Sequence, residues 1–60
     1  MLAINRPWPE VQALLTTLGL DEAWVECAAV NAPGQLTLAG DEAALQQIAD
    51  YARANGFFAR

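Results

Sequence analysis

Val30-Asn31-Ala32-Pro33-Gly34-Gln35-Leu36-Thr37-Leu38-Ala39-Gly40-Asp41 is the stretch whose reading decides the fold. Val30 and Asn31 end an apolar run, and Asn-x-Pro-Gly is a tight-turn signal. Gln35 to Ala39 then alternates Leu36 and Leu38 with smaller or more polar residues, and Gly40-Asp41 breaks the strand where a helix can begin. Two central strands joined by a turn at Ala32 to Gln35 are therefore expected. Around them the chain divides into two halves of the same order, strand then helix then strand.

The upstream half starts with a short apolar segment, Met1 to Asn5, which reads as a strand. Arg6-Pro7-Trp8-Pro9-Glu10 interrupts it, because two prolines cannot continue a ladder, whereas proline fits the first turn of a helix, where its missing donor has no partner anyway. A helix is expected near Trp8–Leu18. Val11, Leu14, Leu15 and Leu18 fall at helical spacing on one face, Gln12, Ala13, Thr16 and Thr17 lie away from it, and Gly19 is placed to close the last turn. This apolar stripe reads as packing against a sheet. After the connection Leu20–Ala23, a strand is expected over Trp24–Asn31, with Trp24, Glu26, Ala28 and Val30 on one face and Val25, Cys27 and Ala29 on the other. Neither face is cleanly polar, which implies a sheet covered in part on both sides by a neighbour.

The downstream half continues from the Gln35–Ala39 strand. Asp41 is expected to cap a helix over Asp41–Asn55, with Glu42 complementing its dipole and Leu45, Ile48, Ala49 and Ala52 on its apolar face. Asn55-Gly56 ends it, and Phe57–Arg60 is expected to form a last strand. The expected class is α+β. The arrangement is a ferredoxin-like βαββαβ sandwich: a four-stranded antiparallel sheet with two helices on one face.

Composition bounds what such a unit can do. With 60 residues, 55% of them hydrophobic, the chain is one small domain, and a domain of this size buries only about 60% of its unfolded surface. A single cysteine, Cys27, rules out an internal disulfide; in its apolar setting it reads as a small core residue rather than a nucleophile. Seven acids stand against Arg6, Arg53 and Arg60, with no lysine, so there is no basic patch for a phosphate backbone and nucleic acid is not an expected partner. No apolar run approaches the ~18 residues of a membrane span, no signal peptide is evident, and a cytoplasmic location is expected. The chain has no His and no Ser, which removes Ser-His catalysis and imidazole metal sites. No catalytic residue, metal ligand or bound cofactor is therefore expected within it.

A resemblance sharpens these exclusions. Ala28-Ala29-Val30-Asn31-Ala32-Pro33-Gly34-Gln35 followed by Leu36-Thr37-Leu38-Ala39-Gly40-Asp41-Glu42-Ala43-Ala44-Leu45 resembles the small subdomain of acyl-CoA:acyl-carrier-protein acyltransferases. This is the malonyl transacylase family, found alone in fatty-acid synthesis and as a domain of polyketide synthases. The family pattern is a strand ending in Ala-x-Asn, a small residue, Pro, a strand ending in Ser/Ala-Gly, and an acidic cap before Ala-Leu. Met1-Leu2-Ala3-Ile4 and Gly56-Phe57-Phe58-Ala59-Arg60 look like the flanks of the same subdomain, and the latter favours a polyketide synthase parent.

The resemblance implies a division of labour. A larger hydrolase-like subdomain supplies a serine on a G-x-S-x-G elbow and a histidine base, and residues 1–60 correspond to the ferredoxin-like insert that stops short of the histidine. The serine takes a malonyl-type group from coenzyme A and passes it to the phosphopantetheine thiol of an acyl carrier protein. Coenzyme A thioester and phosphopantetheinyl carrier protein are then substrates of the parent enzyme, and the implied partners are the large subdomain and the carrier protein. The small subdomain forms one wall of the cleft entered by the pantetheine arm. Asn31 matches the family's asparagine and is the first candidate for that wall, since a side-chain amide offers both a donor and an acceptor; an asparagine before a turn also commonly bonds its own backbone. Gly34 and Gln35 are candidates by position, although Gly34 is explained equally by a positive φ. Trp8 and Trp24 read as packed residues or as exposed anchors. Arg53 and Arg60 read as solvated charges or as partners for an acidic carrier protein.

The alternative is a free-standing ferredoxin-like module for ligand binding or oligomerisation. A heavy-metal carrier of this fold requires paired soft ligands, which one cysteine without histidine does not provide.

Overall fold

A computed structural model describes all 60 residues, Met1–Arg60. Its elements are β1 (Leu2–Ile4), α1 (Trp8–Leu18), a 3-10 turn (Glu22–Trp24), β2 (Val25–Ala32), β3 (Gln35–Gly40) and α2 (Glu42–Asn55). The chain is α+β: two helices and a three-stranded antiparallel sheet in the order β1-β3-β2. β1 and β2 both run antiparallel to β3 and therefore parallel to each other, with the later strand between them.

The expected fourth strand does not form as a strand. Ala59 makes an isolated antiparallel bridge to Ile4, and three backbone hydrogen bonds flank it: Ala3 N–H to Arg60 O at 2.7 Å, Arg60 N–H to Ala3 O at 2.8 Å and Asn5 N–H to Phe58 O at 3.0 Å. The segment lies along the outer edge of β1. It contributes too few paired residues to extend the sheet, because Gly56 is still in the left-handed helix cap and only the last three residues reach the edge.

Local chemistry explains each helix boundary. In α1, Pro9 sits in the first turn and Pro7 at the N-cap, so proline replaces the usual side-chain cap. Asp41 caps α2 by accepting from the Ala44 N–H at 3.0 Å. Both helices end at a left-handed glycine, Gly19 at φ 71° and Gly56 at φ 75°. In each, the next residue's N–H closes back on the final turn, Leu20 to Leu15 O at 2.8 Å and Phe57 to Ala52 O at 3.0 Å. Leu20 and Phe57 then tuck against the core.

One face of the sheet carries both helices. Leu2 and Ile4 from β1, Val25 from β2, and Leu36 and Leu38 from β3 meet Val11, Leu14 and Leu15 of α1 and Leu45 and Ile48 of α2 in one cluster. All are buried, and no polar or charged residue is buried with them. Cys27 packs half-buried at the edge of this cluster, its Sγ 3.6 Å from the Ala29 carbonyl oxygen, which is the core role its setting implies.

β2 departs from the simple alternation expected of it. The register pairs Cys27 with Leu38 but Ala29 with Thr37, and Val30 with Leu36 but Ala32 with Gln35, so Ala28 and Asn31 are each an extra residue in β2. A single inserted residue reverses the facing of everything beyond it. Val30 thus stands opposite buried Leu36 instead of sharing a face with Glu26, and it is 69% exposed. Trp24 belongs to the 3-10 turn rather than to the strand. That turn is capped by Asp21, whose carboxylate accepts from the Ala23 N–H at 2.8 Å.

Candidate functional site

The second face of the sheet carries no helix. Ala3, Ala29, Thr37 and Ala39 lie across its centre, small side chains that leave the surface smooth. At the end of the sheet where the β2–β3 turn meets the end of β1, this face opens into a groove of about 450 Å³ lined by Ala3, Ile4, Asn5, Asn31, Gln35, Leu36 and Phe58. Two of the three residues singled out from sequence, Asn31 and Gln35, meet there.

Asn31 reaches the groove because of the bulge. Without an extra residue, the Ala32–Gln35 turn would pair Asn31 with Leu36; the bulge pairs Val30 with Leu36 and leaves Asn31 outside the ladder. Its side chain is exposed, and Nδ2 donates to Thr37 Oγ1 at 2.9 Å. The side chain thus bonds a neighbouring strand and not the backbone of its own turn. Its second polar atom, Oδ1, receives no hydrogen bond from the chain.

Gln35 opens β3 on the other side of the turn, with its side chain exposed and without an intramolecular partner. Gly34 does not line the groove. It sits in the turn at φ 76°, the sign that the third position of a type II turn requires, directly after a proline at the second. Its part is to close the hairpin.

Two further side chains of the groove, and one behind it, complete the arrangement. Asn5 follows β1 and adds a third side-chain amide; Phe58, 48% exposed, supplies an aromatic wall under the Arg60 guanidinium, 5.6 Å from the ring centroid; and Thr37, outside the groove lining, bonds Asn31. Asn5 and Phe58 are separated by most of the chain and come together only through the backbone bond between β1 and the C-terminal segment. The groove therefore presents amides, an aromatic face and no acid or base. It is equipped to hold an amide-bearing ligand and not to transfer protons.

The remaining sequence candidates lie elsewhere. Trp8 packs against the core, whereas Trp24 is 52% exposed. Arg53 pairs with Asp50 at 3.2 Å on the solvated side of α2, an arrangement of little energetic weight. With Arg60 it borders a wide recess of about 660 Å³ between α2 and the chain ends. Arg6 stacks on the segment that follows α2, its guanidinium 4.2 Å from the Phe57 ring, which in turn meets Tyr51 edge-on. No three residues of the His, Cys, Asp and Glu types come together, and no helix is long and apolar enough to cross a membrane.

No protein-family model matches the chain, and no solved structure matches it. Among curated proteins, a highly reducing polyketide synthase from Leptosphaeria maculans is 37% identical over 60 residues, covering 100% of this chain. The chain spans about 2% of the length of that relative. The chain is thus similar, from end to end, to one short stretch of a polyketide synthase.

Proposed function

We propose that these residues are the ferredoxin-like small subdomain of an acyltransferase unit in a polyketide synthase. In this reading the parent enzyme moves a malonyl-type group from coenzyme A to the phosphopantetheine arm of an acyl carrier protein in the cytoplasm. The observation that carries the reading is the groove on the helix-free face, where Asn31 and Gln35 converge with Asn5 and Phe58. Pantetheine is a flexible arm with amide groups, and a wall of side-chain amides beside an aromatic ring suits it. The similarity to a polyketide synthase segment agrees with this assignment, as does the family pattern from Ala28 to Leu45.

The remainder of the open face has a role in the same scheme. Ala3, Ala29, Thr37 and Ala39 form a surface against which a larger, hydrolase-like subdomain can close, leaving the groove as one side of the cleft. The segment along the β1 edge becomes the fourth strand of the sheet, in the order 4-1-3-2, once residues continuing from Arg60 extend its pairing. Chemistry belongs to the other subdomain, because this chain contains no serine and no histidine.

The reading frame that encodes these residues provides the first test. A G-x-S-x-G motif upstream and a histidine shortly downstream are expected; a frame lacking both favours the free-standing module. In the intact parent, Asn31→Ala should remove one or two hydrogen bonds to the thioester arm, each worth about 0.5–1.5 kcal/mol, and lower kcat/KM roughly three- to a hundredfold with little change in Tm. A fall in Tm at unchanged kcat/KM would end the channel role of this residue.

A further inference from the structure

We propose that Thr37 is a positioning residue that holds the Asn31 side chain in place at the groove. By bonding one end of the Asn31 amide at 2.9 Å, it leaves the other end to meet a ligand. This inference rests on the reading of the groove as the pantetheine wall.

The geometry assigns the two residues different mobilities. Thr37 lies in the middle of β3, with Ala3 of β1 opposite it on one side and Ala29 of β2 on the other. It is β-branched, which restricts its χ1. Asn31 is an unpaired bulge residue one position from the turn, and its side chain is exposed. A free asparagine there would move among the exposed rotamers open to it. The 2.9 Å bond to Thr37 removes that freedom, because it ties one end of the planar amide to β3 and turns the other end away from it. A side chain already held in place loses less rotamer freedom when it bonds an amide-bearing arm.

The test uses the whole polypeptide encoded by the parent reading frame, with malonyl-CoA as donor and pantetheine as acceptor. Thr37→Val keeps the branching and volume and deletes the hydroxyl. It should raise KM for pantetheine by roughly three- to tenfold, with kcat changed less than about twofold and Tm unchanged. Thr37→Ser, which restores the hydroxyl, should recover most of the loss. In an Asn31→Ala background, Thr37→Val should have no further effect on KM, since its action runs through Asn31. If Asn31→Ala lowers kcat/KM while Thr37→Val is neutral, the positioning role is overturned and the channel reading stands. An equal Thr37→Val effect with and without Asn31 overturns it as well. If Asn31→Ala itself leaves kcat/KM unchanged, the channel reading fails and this inference falls with it.

Discussion

The two faces of the sheet are built from the same strands and follow opposite rules. Toward the helices, β1 and β3 present Leu2, Ile4, Leu36 and Leu38, all buried. Away from them, the alternate positions of the same strands present Ala3, Thr37 and Ala39, all half-buried beneath nothing larger than their neighbours. The first face uses volume and shape to specify a fold; the second has neither the bulk to make a core nor the charge of an ordinary solvated surface. Within the three strands only Glu26 of the paired positions on it is charged, and Arg60, bonded through its backbone to Ala3, adds one charge along the β1 edge. A surface of that kind suits close approach by another body, and Asn31, bonded to Thr37, stands on it beside the groove.

This contrast can be broken by substitution. The largest effect is expected outside both faces, at Gly40, where β3 passes under the 3-10 turn. Its φ is 148°, and a Cβ there would collide with the backbone carbonyl of Trp24, which accepts from the Asp41 N–H at 2.9 Å. Gly40→Ala should cost more than about 3 kcal/mol and abolish a cooperative thermal transition in so small a domain; a well-resolved transition near the unmodified Tm would show that the two segments can separate freely. Next comes the helix-side face. Leu38 is fully buried, so Leu38→Ala should lose about 2–5 kcal/mol in urea unfolding. The smallest effect belongs to the open face: Ala29→Thr, opposite Thr37, should change stability by less than about 0.5 kcal/mol. A loss as large as that of Leu38→Ala would mean that both faces are packed and would remove the contrast.

Sequence and structure agree where periodicity and punctuation coincide. The α1 stripe Val11, Leu14, Leu15 is buried, the helix spans the residues its prolines and Gly19 delimit, and Asp41 caps α2. They part where the decisive quantity is register. Nothing in Cys27-Ala28-Ala29 signals an extra residue, because alanine is as acceptable in a bulge as in a ladder, yet that residue moves Val30 to the opposite face. The pairing of Asn31 with Thr37 depends on a second bulge of the same kind. Asn31 and Gln35 could be found from their motif, whereas Asn5 and Phe58 could not, since no local pattern relates a residue after β1 to one near the chain's end. The fourth strand was expected from the apolar Phe57-Phe58, but β-propensity does not say how many residues will find partners.

The bulges at Ala28 and Asn31 have a consequence beyond re-aiming side chains. β2 is the outer strand of the sheet, and its far side is an open row of backbone donors and acceptors. An unbroken row of that length, in a chain as apolar as this one, is a template on which a second molecule can polymerise. Two interruptions within eight residues bend the strand and put its hydrogen-bonding groups out of step with any regular incoming strand. The irregularity that presents Asn31 to the groove also makes this edge a poor seed for aggregation.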